Sequence, residues 1–209
     1  MNHTPSILIQ GDIIGSKKEP LIWVDKLSSA LDQLNQRYAS AFTMPFSIVA
    51  GDGFGAVVND LADAVTLVQR LQGLLAPVEV RVVIVCGEIN QAKADNFNEL
   101  HGDALLVANR CINQLKKTGK HFSIHCTDEA LGLAIEGMIN LIFALRKDWS
   151  VQAWATNAYH LKGCKQKEIA EALGITQQYV SKLMIASNMR LIHTCQADLL
   201  RLIALNNGG

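Results

Sequence analysis

Two aspartates stand where the chain changes direction. Asp12 follows a short β-branched and apolar run at 6–10, and Asp52 lies in Gly51-Asp52-Gly53 between apolar runs at 46–50 and 54–58. Carboxylates brought together repel, and each raises the other's pKa unless a cation neutralises them. A hard divalent ion such as Mg2+ or Mn2+ does so with oxygen ligands, commonly one or two carboxylates plus phosphate and water. Asp12 and Asp52 are therefore candidate metal ligands. A plainer reading stands beside this one, with Asp52 as an ordinary turn residue and Asp12 as a strand-end cap.

The elements around the pair decide whether they meet. The run 6–10 reads as a strand. Residues 21–41 carry Leu27, Leu31, Leu34 and Tyr38 at helical spacing. The runs 46–50 and 54–58, joined through an Asp-Gly pair, read as a hairpin because both turn residues tolerate positive φ. Helical spacing returns at 61–75, and the Val-rich run 79–86 has the character of a buried strand. Strand, helix, strand, strand, helix, strand is the ferredoxin-like split βαβ order, an α+β class. Strands 1 and 2 then run parallel, so the end of the first and the tip of the hairpin fall on one edge. A helix at 103–117, a strand at 121–126 and a helix at 129–145 extend the unit. The apolar run stops at Arg146-Lys147-Asp148, which divides the chain into an N-terminal domain, 1–147, and a second domain, 148–209.

The second domain is all helix and basic. Residues 1–150 hold 13 Lys+Arg against 16 Asp+Glu, a balance of −3, whereas 151–209 hold 6 against 3, a balance of +3. Helices are expected at 151–161, 166–173 and 177–186, with 191–205 as a closing helix or dimer seam. Between the second and third lies Gly174-Ile175-Thr176. Glycine permits the sharp turn, Ala170 is small where the helices cross, Thr176 caps the third helix, and Ile175, Val180 and Leu183 fill a small core. This is a helix-turn-helix pattern, and QKEIAEALGITQQYVSKLM resembles the DNA-binding units of bacterial regulators. In such a unit Gln177, Gln178, Ser181 and Lys182 would face base edges or phosphates of double-stranded DNA. Lys167, with Lys162 and Lys165, would add salt-dependent attraction to the backbone. A three-helix bundle used for protein contacts is the rival reading.

The N-terminal blocks carry a second resemblance. Gly11-Asp12-Ile13-Ile14-Gly15-Ser16, Ala50-Gly51-Asp52-Gly53-Phe54, the run 81–88, and Gly102-Asp103-Ala104 with Ala108-Asn109-Arg110 resemble the successive blocks of class III nucleotidyl cyclases. The GDIIGS start, the length and the C-terminal extension resemble the SatD family of bacterial proteins. The cyclase resemblance implies Asp12 and Asp52 as ligands of two divalent metals. It implies Ile14, Gly15 and Ser16 as phosphate-binding backbone, and Arg110 as the arginine that steadies the phosphates of a nucleotide from a partner subunit. Lys17 and Lys18 follow the first loop and could attract phosphate. Ile48 and Leu106 stand where cyclases carry a base-selecting lysine and a ribose-positioning asparagine. An aliphatic side chain can make neither hydrogen bond. The resemblance thus implies a degenerate cyclase-like domain without cyclase activity.

Composition narrows the rest. Equal totals of 19 basic and 19 acidic residues exclude a uniformly basic nucleic-acid coat protein. Five dispersed cysteines without a CxxC pair speak against a disulfide framework or a Cys-rich zinc site, and suit a reducing cytoplasm. The N-terminus lacks a signal-peptide profile, and the apolar run 137–145 is too short to span a bilayer. The expectation is a cytoplasmic, homodimeric DNA-binding regulator whose N-terminal domain dimerises and senses a nucleotide or metal. The alternative is an Mg- or Mn-dependent enzyme acting on a nucleoside triphosphate, with the helix-turn-helix as a docking unit.

Overall fold

A computed structural model of the chain describes residues 6–16, 20–49, 51–90 and 96–206. The chain forms two compact units, Met1–Asn140 and Leu141–Gly209. The division falls inside helix α4 (Glu129–Arg146) rather than after residue 147. Arg146 shows why a charge at the end of an apolar run misleads. It is 2% exposed, with its guanidinium carbon 5.2 Å from the ring centre of Trp149 and 5.7 Å from that of Trp154. Cation–π contact lets this charge sit inside the second unit instead of marking a linker.

The first unit runs β1 (Ser6–Ile13), α1 (Pro20–Arg37), β2 (Phe42–Val49), β3 (Gly53–Val58), α2 (Leu61–Leu75), β4 (Val80–Gly87), α3 (Asp103–Thr118), β5 (Phe122–His125) and α4. Among the described residues the strands make one sheet in the order β2-β3-β1-β4-β5. β1 is antiparallel to both β3 and β4, β2 is antiparallel to β3, and β5 is parallel to β4. The expected split βαβ arrangement is present, with β1 and β2 parallel across the intervening β3. Two boundaries differ: β1 runs past the expected end at residue 10 to Ile13, so Asp12 lies within the strand rather than in a loop after it. The first helix stops at Arg37, and a 3-10 turn at Ala39–Ala41 leads into a strand that already begins at Phe42. Pro45 and two register shifts along β2 break the alternation that would have shown the strand in sequence.

Both faces of the sheet are covered. Leu8, Val57, Val83 and Val85 pack with Ala104, Ala108, Ile112 and Leu115 of α3. By the two-residue period of a strand, Ile7, Ile9, Ala56, Val58, Val82 and Ile84 face the other side. They are buried there, with α2 against β1, β3 and β4. Phe97 lies flat enough on the sheet that only glycine fits at position 55, where a Cβ would run into its ring. The outer strands are tied to helices by asparagines. Asn140 Oδ1 accepts from Phe122 N at 3.1 Å and its Nδ2 donates to Phe122 O at 2.8 Å. Asn35 treats Phe46 in the same way, at 2.8 and 2.9 Å.

The second unit continues from the end of α4 with α5 (Val151–His160), α6 (Gln166–Leu173), α7 (Gln177–Ala186) and α8 (Met189–Asn206). α5, α6 and α7 pack on one another, and α7 meets α8. Asn157, 4% exposed, shares a 2.7 Å hydrogen bond with His193, whose ring stacks on His160 at 5.1 Å. Among the described residues no helix is long and apolar enough to cross a membrane.

Candidate functional site

The end of β1 and the β2–β3 turn do converge. Asp12 pairs with Gly53 across the ladder, and Ile13 N donates to Asp52 O at 3.3 Å. Asp12 points to the α3 face, as Leu8 and Gln10 do by alternation, and Gln10 Nε2 donates to Asn109 Oδ1 on α3 at 3.0 Å. Asp12 is 8% exposed, and each of its oxygens is taken. Arg81, its cross-strand neighbour on β4, donates from Nη1 to Oδ1 at 2.9 Å, and Lys116 near the end of α3 places Nζ 2.8 Å from Oδ2. Asp52 is half-buried on the turn.

A divalent ion at this edge would need the oxygens that Arg81 and Lys116 hold. Two side-chain cations already supply the neutralisation for which a metal was expected. The residues present do not fit the metal pair that the cyclase resemblance implies, and no chemistry is derived through one. Arg81 and Lys116 are the site residues missed in sequence. Arg81 did leave a signal, as the one charge inside the Val-rich run 80–87.

Ile14 N donates to Glu79 O at 2.8 Å, so that amide is committed within the fold. Gly15 is exposed at φ +76°, and Ser16 O accepts from Trp23 Nε1 at 3.1 Å. Arg110 is exposed on α3, at a helical position away from the buried Ala104, Ala108, Ile112 and Leu115. Ile48 is 40% and Leu106 61% exposed, aliphatic surfaces where polar contacts to a base and ribose would be needed. Lys17, Lys18 and Ala50 lie outside the described residues. Thiol chemistry is unfavourable at Cys86, whose thiol is pushed up to about 12 by burial and by neighbouring Cys126.

In the second unit, the α6–α7 connection is built as its sequence predicts. Gly174 takes φ +65° in the left-handed region and closes α6, with its N–H donating to the Ala170 and Glu171 carbonyls. Thr176 Oγ1 then accepts from Tyr179 N at 3.2 Å and opens α7. Ile169, Ala170, Val180 and Met184 form the buried contact. Met184 takes the place expected for Leu183, which is half-buried along with Ile175. Gln177, Gln178, Lys182 and Lys167 are exposed, Ser181 is half-buried, and Tyr179 is 44% exposed. Lys162 and Lys165 are also exposed.

The family model described as the SatD family matches residues 6–203. No curated protein matches the chain. Two solved structures, both described as a bacterial light-regulated adenylyl cyclase, are similar to it with TM-scores of 0.45 and 0.44 and 14% identity. Each alignment covers 58% of this chain and 43% of the cyclase chain, so this chain spans less than half the length of those proteins.

Proposed function

This chain belongs to the SatD family, and we propose that it is a DNA-binding regulatory protein whose second unit docks α7 in the major groove of double-stranded DNA. The observation that carries this reading is the α6–Gly174–Thr176–α7 arrangement, which leaves Gln177, Gln178 and Lys182 exposed beside a basic cluster. Gln177 and Gln178, at the start of α7, are placed as base readers, since a glutamine amide can both donate to and accept from a base edge. Lys182 and Lys167, with Lys162 and Lys165, meet phosphates by charge, and Ser181 contributes at the flank. The first unit serves as a degenerate cyclase-like scaffold that pairs two copies, so that two recognition helices meet a two-part operator. Neither metal nor nucleotide turnover enters this reading, because Arg81 and Lys116 already neutralise Asp12.

Selection of genomic DNA fragments by the purified full chain tests the proposal. The wild type should enrich a defined sequence at physiological salt. Replacing Gln178 and Lys182 by Ala should abolish that enrichment while circular dichroism stays unchanged. Retention that is equal for every fragment, or unaltered in the double variant, would refute the assignment.

A further inference from the structure

We propose that Cys86 and Cys126 form a dithiol that closes to a disulfide between β4 and the end of β5, a redox modification site in the first unit that is independent of the DNA reading. β5 lies parallel to β4 with Val85 paired to His125, and the residue after each is a cysteine. Neighbouring strands lie about 4.8 Å apart, inside the Cα span of about 4.4–6.8 Å that a disulfide demands. The next step of the register therefore sets the two cysteines where a bond can form.

Their side chains also leave the same face of the sheet. A Cβ on Gly87 would meet Ala104 of α3, so position 87 faces α3 and Cys86, one residue earlier, faces away from it. A Cβ on Gly132 of α4 would come within 3.0 Å of Cys126 Sγ and 3.9 Å of Ile124 Cγ2. Cys126 thus keeps the side of Ile124, and Ile124 pairs with Ile84, two residues before Cys86. Both thiols are half-buried, and Cys126 adds to the burial that raises the Cys86 pKa, as a close neighbour does. Cys111, the third cysteine of this unit, is on the opposite face, hydrogen-bonded to Ser123.

The surroundings give the two thiols different roles. Cys86, pushed up to about 12, is a poor nucleophile toward a reagent in solution. Cys126 lies just past the end of β5 and is the less buried. Burial and the Asp128 carboxylate raise its pKa as well, but hydrogen bonding to the backbone of Gly132 and Asp128 offsets part of that rise. A small disulfide such as oxidised glutathione therefore reacts first at Cys126. The Cys126 thiolate attacks one glutathione sulfur, the other glutathione leaves as thiolate, and a mixed disulfide remains. Cys86 then loses its proton to solvent and attacks Cys126 Sγ, and the second glutathione leaves. Two protein thiols are oxidised by two electrons, and the reagent is reduced to two thiols. With both pKa values raised, the exchange is slow near neutrality and quickens as pH rises. Among the described residues β4 is the only strand beside the four-residue β5, so the bond fastens this edge of the sheet.

The full chain incubated with oxidised glutathione at about pH 8.5, its free thiols then blocked, and digested without reduction for mass spectrometry is the test. Peptides joined through Cys86 and Cys126, lighter by two hydrogens, should dominate. The oxidised chain should unfold at higher urea than the reduced one, and dithiothreitol should restore the original midpoint. Cys86→Ala should trap glutathione on Cys126, whereas Cys126→Ala should leave Cys86 unmodified. A link that prefers another pair of cysteines, no link, a link that fails to raise the urea midpoint, or glutathione held on Cys86 would overturn the proposal.

Discussion

Arg81 stands directly across the β1–β4 ladder from Asp12, and its Nη1 donates to Asp12 Oδ1 at 2.9 Å. With Lys116 on the second oxygen, one mostly buried carboxylate ties two strands to α3. Removing its charge strands two cations, one of them about half exposed, so the loss falls below that of a fully buried pair. Asp12→Asn should cost about 1–2 kcal/mol in urea unfolding. Millimolar Mg2+ should leave the wild-type midpoint where it was. A Mg2+-dependent rise that vanishes in Asp52→Asn would show a metal site after all.

Glu136 links α4 to β5 and to Lys120. Burial alone would raise its pKa, but hydrogen bonds from Lys120, Ser123 and Ile124 N, with the charge of Lys120, outweigh it and hold the carboxyl below 4.5. A carboxyl with a lower pKa folded than unfolded gives stability that is complete above the unfolded value. It is lost as pH falls through the folded one. Urea midpoints measured downward from pH 6 should therefore drop below about 4.5. Glu136→Gln should flatten that part of the profile and lower the neutral-pH stability by about 1 kcal/mol. An unchanged acid slope in this variant would contradict the assignment.

Gly55 and Phe97 form a size-matched pair on the α3 side of the sheet. Gly55→Ala should cost about 1–3 kcal/mol by overpacking. Phe97→Leu, harmful in the wild type, should cost less in that background, since the smaller side chain admits the new methyl. A double-mutant cycle without coupling would show that the two do not share the space.

At the α6–α7 turn, Gly174→Ala must hold a Cβ at φ +65° and should destabilise the second unit by about 1 kcal/mol. Thr176→Ala, which removes the cap on Tyr179 N, should cost about as much. Amide exchange at Tyr179 and Val180 reads both. Protection in α7 that survives both substitutions would mean the turn does not govern the helix.

Local signals in this chain were the legible ones. Thr176 caps its helix through its side-chain oxygen as expected, and α2, α6 and α7 lie at the residues their periodicity marks. The meeting of Asp12 with the Asp52 turn was legible too, because strand order alone requires it. What neutralises Asp12 was not, since Arg81 reaches it through β1–β4 register and Lys116 through the docking of α3, and neither is written in spacing. Arg146 misled for the converse reason. A charge ending an apolar helix looks solvated until Trp149 and Trp154 fold over it.

The asparagines at the two outer strands have a consequence for the whole molecule. Asn35 and Asn140 each behave toward the strand beside them like a single residue of a further strand that never continues. A foreign strand approaching either rim finds the templating groups of Phe46 or Phe122 occupied. Annealing sheet to sheet, the route toward fibrils, is thus interrupted at both ends by one side chain apiece.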